Sequence, residues 1–290
     1  MKHLIMFLLI GFAAQLIDGA LGMAYGSTST SLLLTYGVAP AMASASVHLA
    51  EIVTTGVSGL SHIKLGNVDR HLILKLSVPG VVGAFFGACF LSWLPGHIVK
   101  PYISIFLLCL GVYIVFRFLF QKKEKKKRQI KALSKGQMTI LGLFAGFADS
   151  TGGGGWGPVA TPVLLTKGIP ARKVIGSVDT SECAVALAST IGFFLAMGWE
   201  QIHWGWVFTL MIGGILAAPL AAWLVKVLPS SFLGVSVGGL IILTNIRLLF
   251  QTWPIPRNWI LMIYSLIVIG WGIAIFMTSL KVKKGPFMTL

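Results

Sequence analysis

Charge is what this chain has least of. Charged residues make up 11% of the 290, against the roughly 25% of an ordinary soluble domain, and the shortage falls on the acids, with 8 Asp plus Glu facing 23 Lys plus Arg. So few charges cannot keep a chain of 56% apolar residues and mean hydropathy +0.87 in water, which excludes a soluble globule. Cysteine is nearly missing too. Cys89, Cys109 and Cys183 stand singly in apolar stretches, so neither a disulfide framework nor a zinc site is indicated. No ATP-binding motif appears, so active transport would have to draw on a gradient. Long apolar runs, in contrast, are abundant. Several approach or exceed the ~20 residues that span a bilayer core, and they do not alternate as the strands of a porin-like barrel would. The class is an all-α polytopic membrane protein.

The net charge of +15 would suggest nucleic acid in a soluble protein, but its placement points to topology. Lys122, Lys123, Lys125, Lys126, Lys127, Arg128, Lys131 and Lys135 crowd one linker between two apolar blocks, the pattern of a cytoplasmic loop. The same segment, 121–137, is suited to anionic lipid headgroups. Nucleic acid is not expected as a partner, and oligomeric state is not readable.

The chain contains one unit twice. A shift of 131 residues aligns Gly11, Ala14, Asp18, Gly22, Gly26 and Thr30 with Gly142, Ala145, Asp149, Gly153, Gly157 and Thr161. It then aligns Leu33, Leu34, Thr35, Gly37, Ser46, Val47 and Glu51 with Leu164, Leu165, Thr166, Gly168, Ser177, Val178 and Glu182, for 13 identities between Gly11 and Glu51. Chance would supply about three at average composition, so each half is a structural repeat.

The expected division is a first transmembrane repeat over 1–120, a basic linker over 121–137, a second repeat over 138–250, and an unpaired C-terminal helix with a basic tail over 251–290. Each half reads as two short apolar limbs around a glycine-rich break, near 3–17 and 21–36 in the first, followed by three spans. Lys64, Arg70 and Lys75 follow the third segment of the first half, whereas its counterpart around Glu200 has no cation; the preceding connection shows the reverse bias, with Lys167, Arg172 and Lys173 in the second half only. The positive-inside rule then orients the halves oppositely, as inverted repeats. It places the linker and C-terminus in the cytoplasm and the N-terminus outside.

Residues suited to chemistry gather at the breaks and on the helix after each. Asp149 to Pro158 reads DSTGGGGWGP and Asp18 to Gly26 reads DGALGMAYG. A glycine-rich turn feeding a helix start exposes N–H groups at the positive end of the helix dipole, an anion site without a cationic side chain; close helix packing on small residues is the competing reading. Gly22, Gly26, Gly153, Gly154, Gly155 and Gly157 are therefore candidate substrate contacts, with the nearby hydroxyls of Ser27, Ser46 and Ser177. Asp18 and Asp149 precede helix starts and are candidate caps. Glu51 and Glu182 sit mid-segment, each three residues after His48 or Asp179 and so on one helix face with it. Intramembrane carboxylates are costly, and these four residues are candidates for proton coupling or a polar relay. Catalytic residues, metals and cofactors are not expected.

With these paired glycine-rich segments, each followed by a Leu-rich stretch and a polar helix bearing Glu, the chain resembles the sulfite exporter TauE/SafE family over residues 4–280. The resemblance implies a permease in the plasma membrane that exports small sulfur-containing anions, with sulfite, sulfoacetate and thiosulfate as candidates. A proton-coupled carrier working by alternating access joins the two readings. A cation-coupled carrier or channel for another solute is the alternative, because the membrane core holds carboxylates and no central Lys or Arg. A remote one is an intramembrane serine protease built on Ser58 in the string Gly56 to Gly59.

Overall fold

Helix boundaries obey the register of the repeat. In the computed structural model, which describes residues 2–120, 133–167, 169–200, 202–224, 230–252 and 255–283, the first half comprises α1 (Lys2–Leu21), α2 (Tyr25–Thr35), α3 (Pro40–Lys64), α4 (Arg70–Trp93) and α5 (Gly96–Leu119). The second comprises α6 (Lys135–Gly152), α7 (Trp156–Thr166), α8 (Ala171–Met197), α9 (Trp204–Leu224) and α10 (Ser230–Thr252), followed by α11 (Arg257–Lys283). The ends of α1 and α6, both ends of α2 and α7, and the starts of α3 and α8 are each displaced by 131 residues. Most of the basic linker, with its proposed lipid contact, and the end of the basic tail lie outside the described residues.

Seven described helices, α1, α4, α5, α8, α9, α10 and α11, are long and apolar enough to cross a membrane. The molecule is a multi-pass membrane protein. Large apolar side chains such as Phe86, Phe144 and Leu195 face outward, as they do where the solvent is lipid. α3 is as long as a span, but it buries His48, Glu51 and several Ser and Thr, so its polarity is turned inward.

The short limbs differ from expectation. α1 does not stop near residue 17; it runs through Asp18 to Leu21, and the break falls at Gly22 to Ala24. The second break is likewise Gly153 to Gly155. The reason lies in the backbone: Gly22 N–H still bonds Asp18 C=O and Gly153 N–H still bonds Asp149 C=O. The left-handed turn comes only at Gly22 and Gly153, with φ of 67° and 68°, a conformation that glycine adopts without a Cβ penalty. The limbs are unequal as a result. α2 and α7 have 11 residues each, about 16 Å of helix and too short to cross.

α3 and α8 pack on each other at the centre, and α1 with α9 and α4 with α6 form the two most intimate seams. These pairs exchange under the repeat register, so the halves are interleaved. Small residues permit the approach: a Cβ on Gly142 would stand 2.8 Å from Leu76 O, and one on Gly87 2.8 Å from Phe147 O. α11 is peripheral, with 6% of its apolar window buried. Gly146 sits with its Cα against the backbone of Gly80, whereas Gly270 on α11 has open space around it. Gly146→Val is expected to destabilise the detergent-solubilised protein by about 1–3 kcal/mol or more. Gly270→Val should change its thermal unfolding by less than about 0.5 kcal/mol, and equal effects would contradict the seam.

Candidate functional site

The two breaks meet. Thr30 Oγ1 on α2 donates to Gly153 C=O at 2.7 Å, and Thr161 Oγ1 on α7 donates to Gly22 C=O at 2.9 Å. These bonds are one interaction written twice, because Thr30 and Gly22 correspond to Thr161 and Gly153. Each half thus uses a hydroxyl to satisfy a carbonyl that the other half's break leaves outside its helix. The glycines make the approach possible. A Cβ on Gly26 would stand 2.8 Å from Gly154 Cα and 3.1 Å from Glu51 Oε1, and one on Gly157 would stand 2.6 Å from Met23 Cα.

Each break is also bridged by a carboxylate from the last turn of the preceding helix. Asp149 Oδ1 accepts from Gly155 N at 2.7 Å and Trp156 N at 2.9 Å, while Asp18 Oδ1 accepts from Tyr25 N at 3.3 Å. A carboxylate at a helix C-terminus opposes the dipole of its own helix, and reaching forward to the N-terminus of the next one offsets that cost. Since Gly153 and Gly154 N–H bond Asp149 C=O, four consecutive N–H groups of the second break are bound to this one residue. An anion at these groups would have to replace the carboxylate.

Two buried triads surround the crossing. In the first, Asp149 meets His48 and Glu51; in the second, Asp18 meets Asp179 and Glu182. Within each triad one ligand-capable atom from every residue lies within 4.8 Å of the others, and all six side chains are buried. The register converts one into the other, so each triad takes two residues from the central helix of one half and one from the break of the other half.

The first triad holds a proton. His48 Nδ1 lies 2.8 Å from Ser44 C=O, and a carbonyl only accepts, so Nδ1 carries a hydrogen. Nε2 lies 3.0 Å from Asp149 Oδ2; a second hydrogen must lie between them, either on the imidazole or on the carboxyl group. Glu51 Oε2 stands 3.9 Å from the same Nε2, and neither Glu51 oxygen has a hydrogen-bond partner. Ser44 Oγ donates to Ser150 C=O at 2.7 Å and ties α3 to α6 beside the pair.

The model of the family described as sulfite exporter TauE/SafE matches residues 7–248. The chain belongs to this family. It is 56% identical over 283 residues to a Bacillus subtilis (strain 168) protein named "Probable membrane transporter protein YtnM", covering 97% of this chain and 94% of that protein. A second protein of that organism, "Probable membrane transporter protein YdhB", is 26% identical over 189 residues, covering 64% of this chain and 77% of its own length. No solved structure is matched.

In this TauE/SafE member the fold brings Gly22, Gly26, Gly153, Gly154, Gly155 and Gly157 into one crossing, beside Glu51 and Asp149. Ser27 bonds locally to Ala24 C=O, and Ser46 is buried on α3. Ser177 is engaged elsewhere: its Oγ accepts from Asp69 N at 2.8 Å, at the start of α4. Ser58 and His62 form no hydrogen bond with each other; His62 Nε2 donates to Gly19 C=O at 3.0 Å, so the geometry offers no Ser–His pair for proteolysis.

Sequence reasoning did not mark Thr30 and Thr161 as site residues, though both stand among the repeat identities, nor Asn67; it read Arg172 for topology alone and weighed His62 only beside Ser58. Asp149→Ala would leave Gly155 N–H, Trp156 N–H and His48 Nε2 without their partner. A loss of about 3 kcal/mol or more in thermal or denaturant unfolding is expected. Asp18→Ala, which removes one long bond, should cost clearly less; the reverse order would contradict the bridging role.

Proposed function

We propose that this transporter exports small sulfur-containing anions, sulfite, an organosulfonate such as sulfoacetate, or thiosulfate, across the plasma membrane, coupled to protons through the His48–Asp149 pair. Family membership supports the substrate class. The observation that carries the mechanism is the double engagement of Asp149, with one oxygen on the N-terminal N–H groups of α7 and the other on His48. A carboxylate seated on a helix N-terminus marks a place where another oxyanion can sit. When a further proton enters from the face on which the anion binds, His48 and Asp149 are both protonated, the hold of Asp149 on Gly155 and Trp156 weakens, and those N–H groups pass to the substrate oxyanion. Release of that proton to the opposite face restores the carboxylate and expels the anion.

Glu51 faces this exchange from α3, and Gly26 leaves room beside it. Outward movement of an anion is favoured by an inside-negative potential, by about 2.3 kcal/mol per charge per 100 mV. In this scheme the two halves are inverted repeats that rock about the crossing of the breaks, with the basic linker and C-terminus cytoplasmic.

The test is flux in proteoliposomes holding the full chain, with sulfite, sulfoacetate and thiosulfate offered in turn under an imposed pH gradient. At least one should give saturable, gradient-driven flux. His48→Gln should lower that flux about tenfold or more while anion-for-anion exchange persists. Gradient-driven flux unchanged in His48→Gln would remove the proton role. Failure of all three anions, with a response to cations alone, would favour the cation carrier that the second triad suggests.

A further inference from the structure

The triads differ in where the imidazole stands. Under the repeat register His48 corresponds to Asp179, and Phe193, whose ring centroid lies 6.2 Å from that of His48, corresponds to His62, whose Nε2 lies 3.8 Å from Asp179 Oδ2. The imidazole of the second triad has therefore moved from within the carboxylates to their flank. Its hydrogen bonds show that it is neutral there. Arg172 Nε donates to Asn67 Oδ1, which turns the Asn67 amide nitrogen toward His62 Nδ1 at 3.0 Å. Nδ1 must accept, and Nε2 spends its hydrogen on Gly19 C=O. Arg172 is itself committed to Asn67 and to Leu65 C=O, and Lys173 to the carbonyls of Gly66 and Val68.

Three buried carboxylates are thus left together without a cationic side chain paired to them among the described residues. Asp18 Oδ2, both Asp179 oxygens and Glu182 Oε2 have no hydrogen-bond partner. A second, independent observation points the same way: Ser58 Oγ, fully buried, makes no hydrogen bond of normal geometry and lies against the Asp179 carboxyl group and Gly19. One turn before Asp18 on α1, Gln15 is fully buried with neither amide atom bonded. Unpaired polar atoms at this density call for an occupant. Water could fill such a space but would supply no counter-charge to an ionised carboxylate.

We propose that Asp18, Asp179, Glu182 and Ser58 form a binding site for a hard cation, seated between the three carboxylates of the second triad. All the donors are oxygens, three of them carboxylate, a set that selects sodium or calcium-like ions over soft transition metals. The first triad thus holds a proton of its own, and the second draws its cation from solution. Its role as a coupling ion rests on the transport reading above; its binding does not, and can be measured with no anion present.

The experiment is equilibrium binding of ²²Na⁺ and, in a parallel arm, ⁴⁵Ca²⁺ to the purified full-length protein in nanodiscs, without any sulfur anion. One arm should show saturable binding of one ion per chain, and the two arms decide which ion it is. Asp179→His, which supplies an imidazole at the position of His48, should abolish that binding in a protein that still elutes as a single species. Glu182→Gln and Ser58→Ala should weaken it about 10- to 100-fold, and they decide the matter if Asp179→His does not fold. Gly270→Val, in open space on α11, should leave it unchanged. Absence of saturable binding in both arms, or full binding in Asp179→His, or in Glu182→Gln and Ser58→Ala together, would overturn the site. Loss of sulfur-anion flux with binding intact would count against the transport reading alone.

Discussion

An interrupted helix inside an apolar layer must find partners for the backbone groups that its interruption releases. Both breaks of this protein meet that demand from within the fold. A carboxylate one turn upstream bonds the N–H groups at the next helix start, and a threonine from the opposite half bonds the exposed carbonyl. Neither break is satisfied by its own half alone. Interleaving of the halves therefore follows from hydrogen bonding as much as from the packing of small residues along the α1–α9 and α4–α6 seams.

That constraint also explains why the charged residues lie where they do. Asp18 and Asp149 are placed by the breaks, and the central helices α3 and α8 bring His48, Glu51, Asp179 and Glu182 up to them. A carboxylate that serves as a backbone cap already occupies an anion site, and its second oxygen is free to exchange a proton or to face a cation. Structural need and the proposed transport chemistry call on the same atoms. The two triads, identical in plan, diverge through the exchange of His48 for Asp179 and of Phe193 for His62.

Much of this was legible in the chain. The register of 131 residues, read from Gly11 to Glu51, anticipated which helix ends would coincide and which residues would play matching parts. The glycine runs marked the breaks, though α1 continues past Asp18 because helical hydrogen bonding persists until the left-handed turn at Gly22. Helical spacing placed His48 beside Glu51 and Asp179 beside Glu182. It could not add Asp149 to the first pair or Asp18 to the second, since those contacts join opposite halves.

Composition, hydropathy and internal repetition by themselves determined that the chain is a helical membrane protein of two similar units with paired polar breaks. These are properties of short windows and of their recurrence, and a linear pattern contains them. The tertiary structure alone decided that the breaks cross, that the N–H groups of the second are already held by Asp149, and that Arg172 and Asn67 keep His62 neutral. The crossing and the Arg172–Asn67 contact join atoms more than a hundred residues apart, and the Asp149 contacts, six and seven residues apart, depend on where the turn between α6 and α7 falls; only the folded arrangement specifies these.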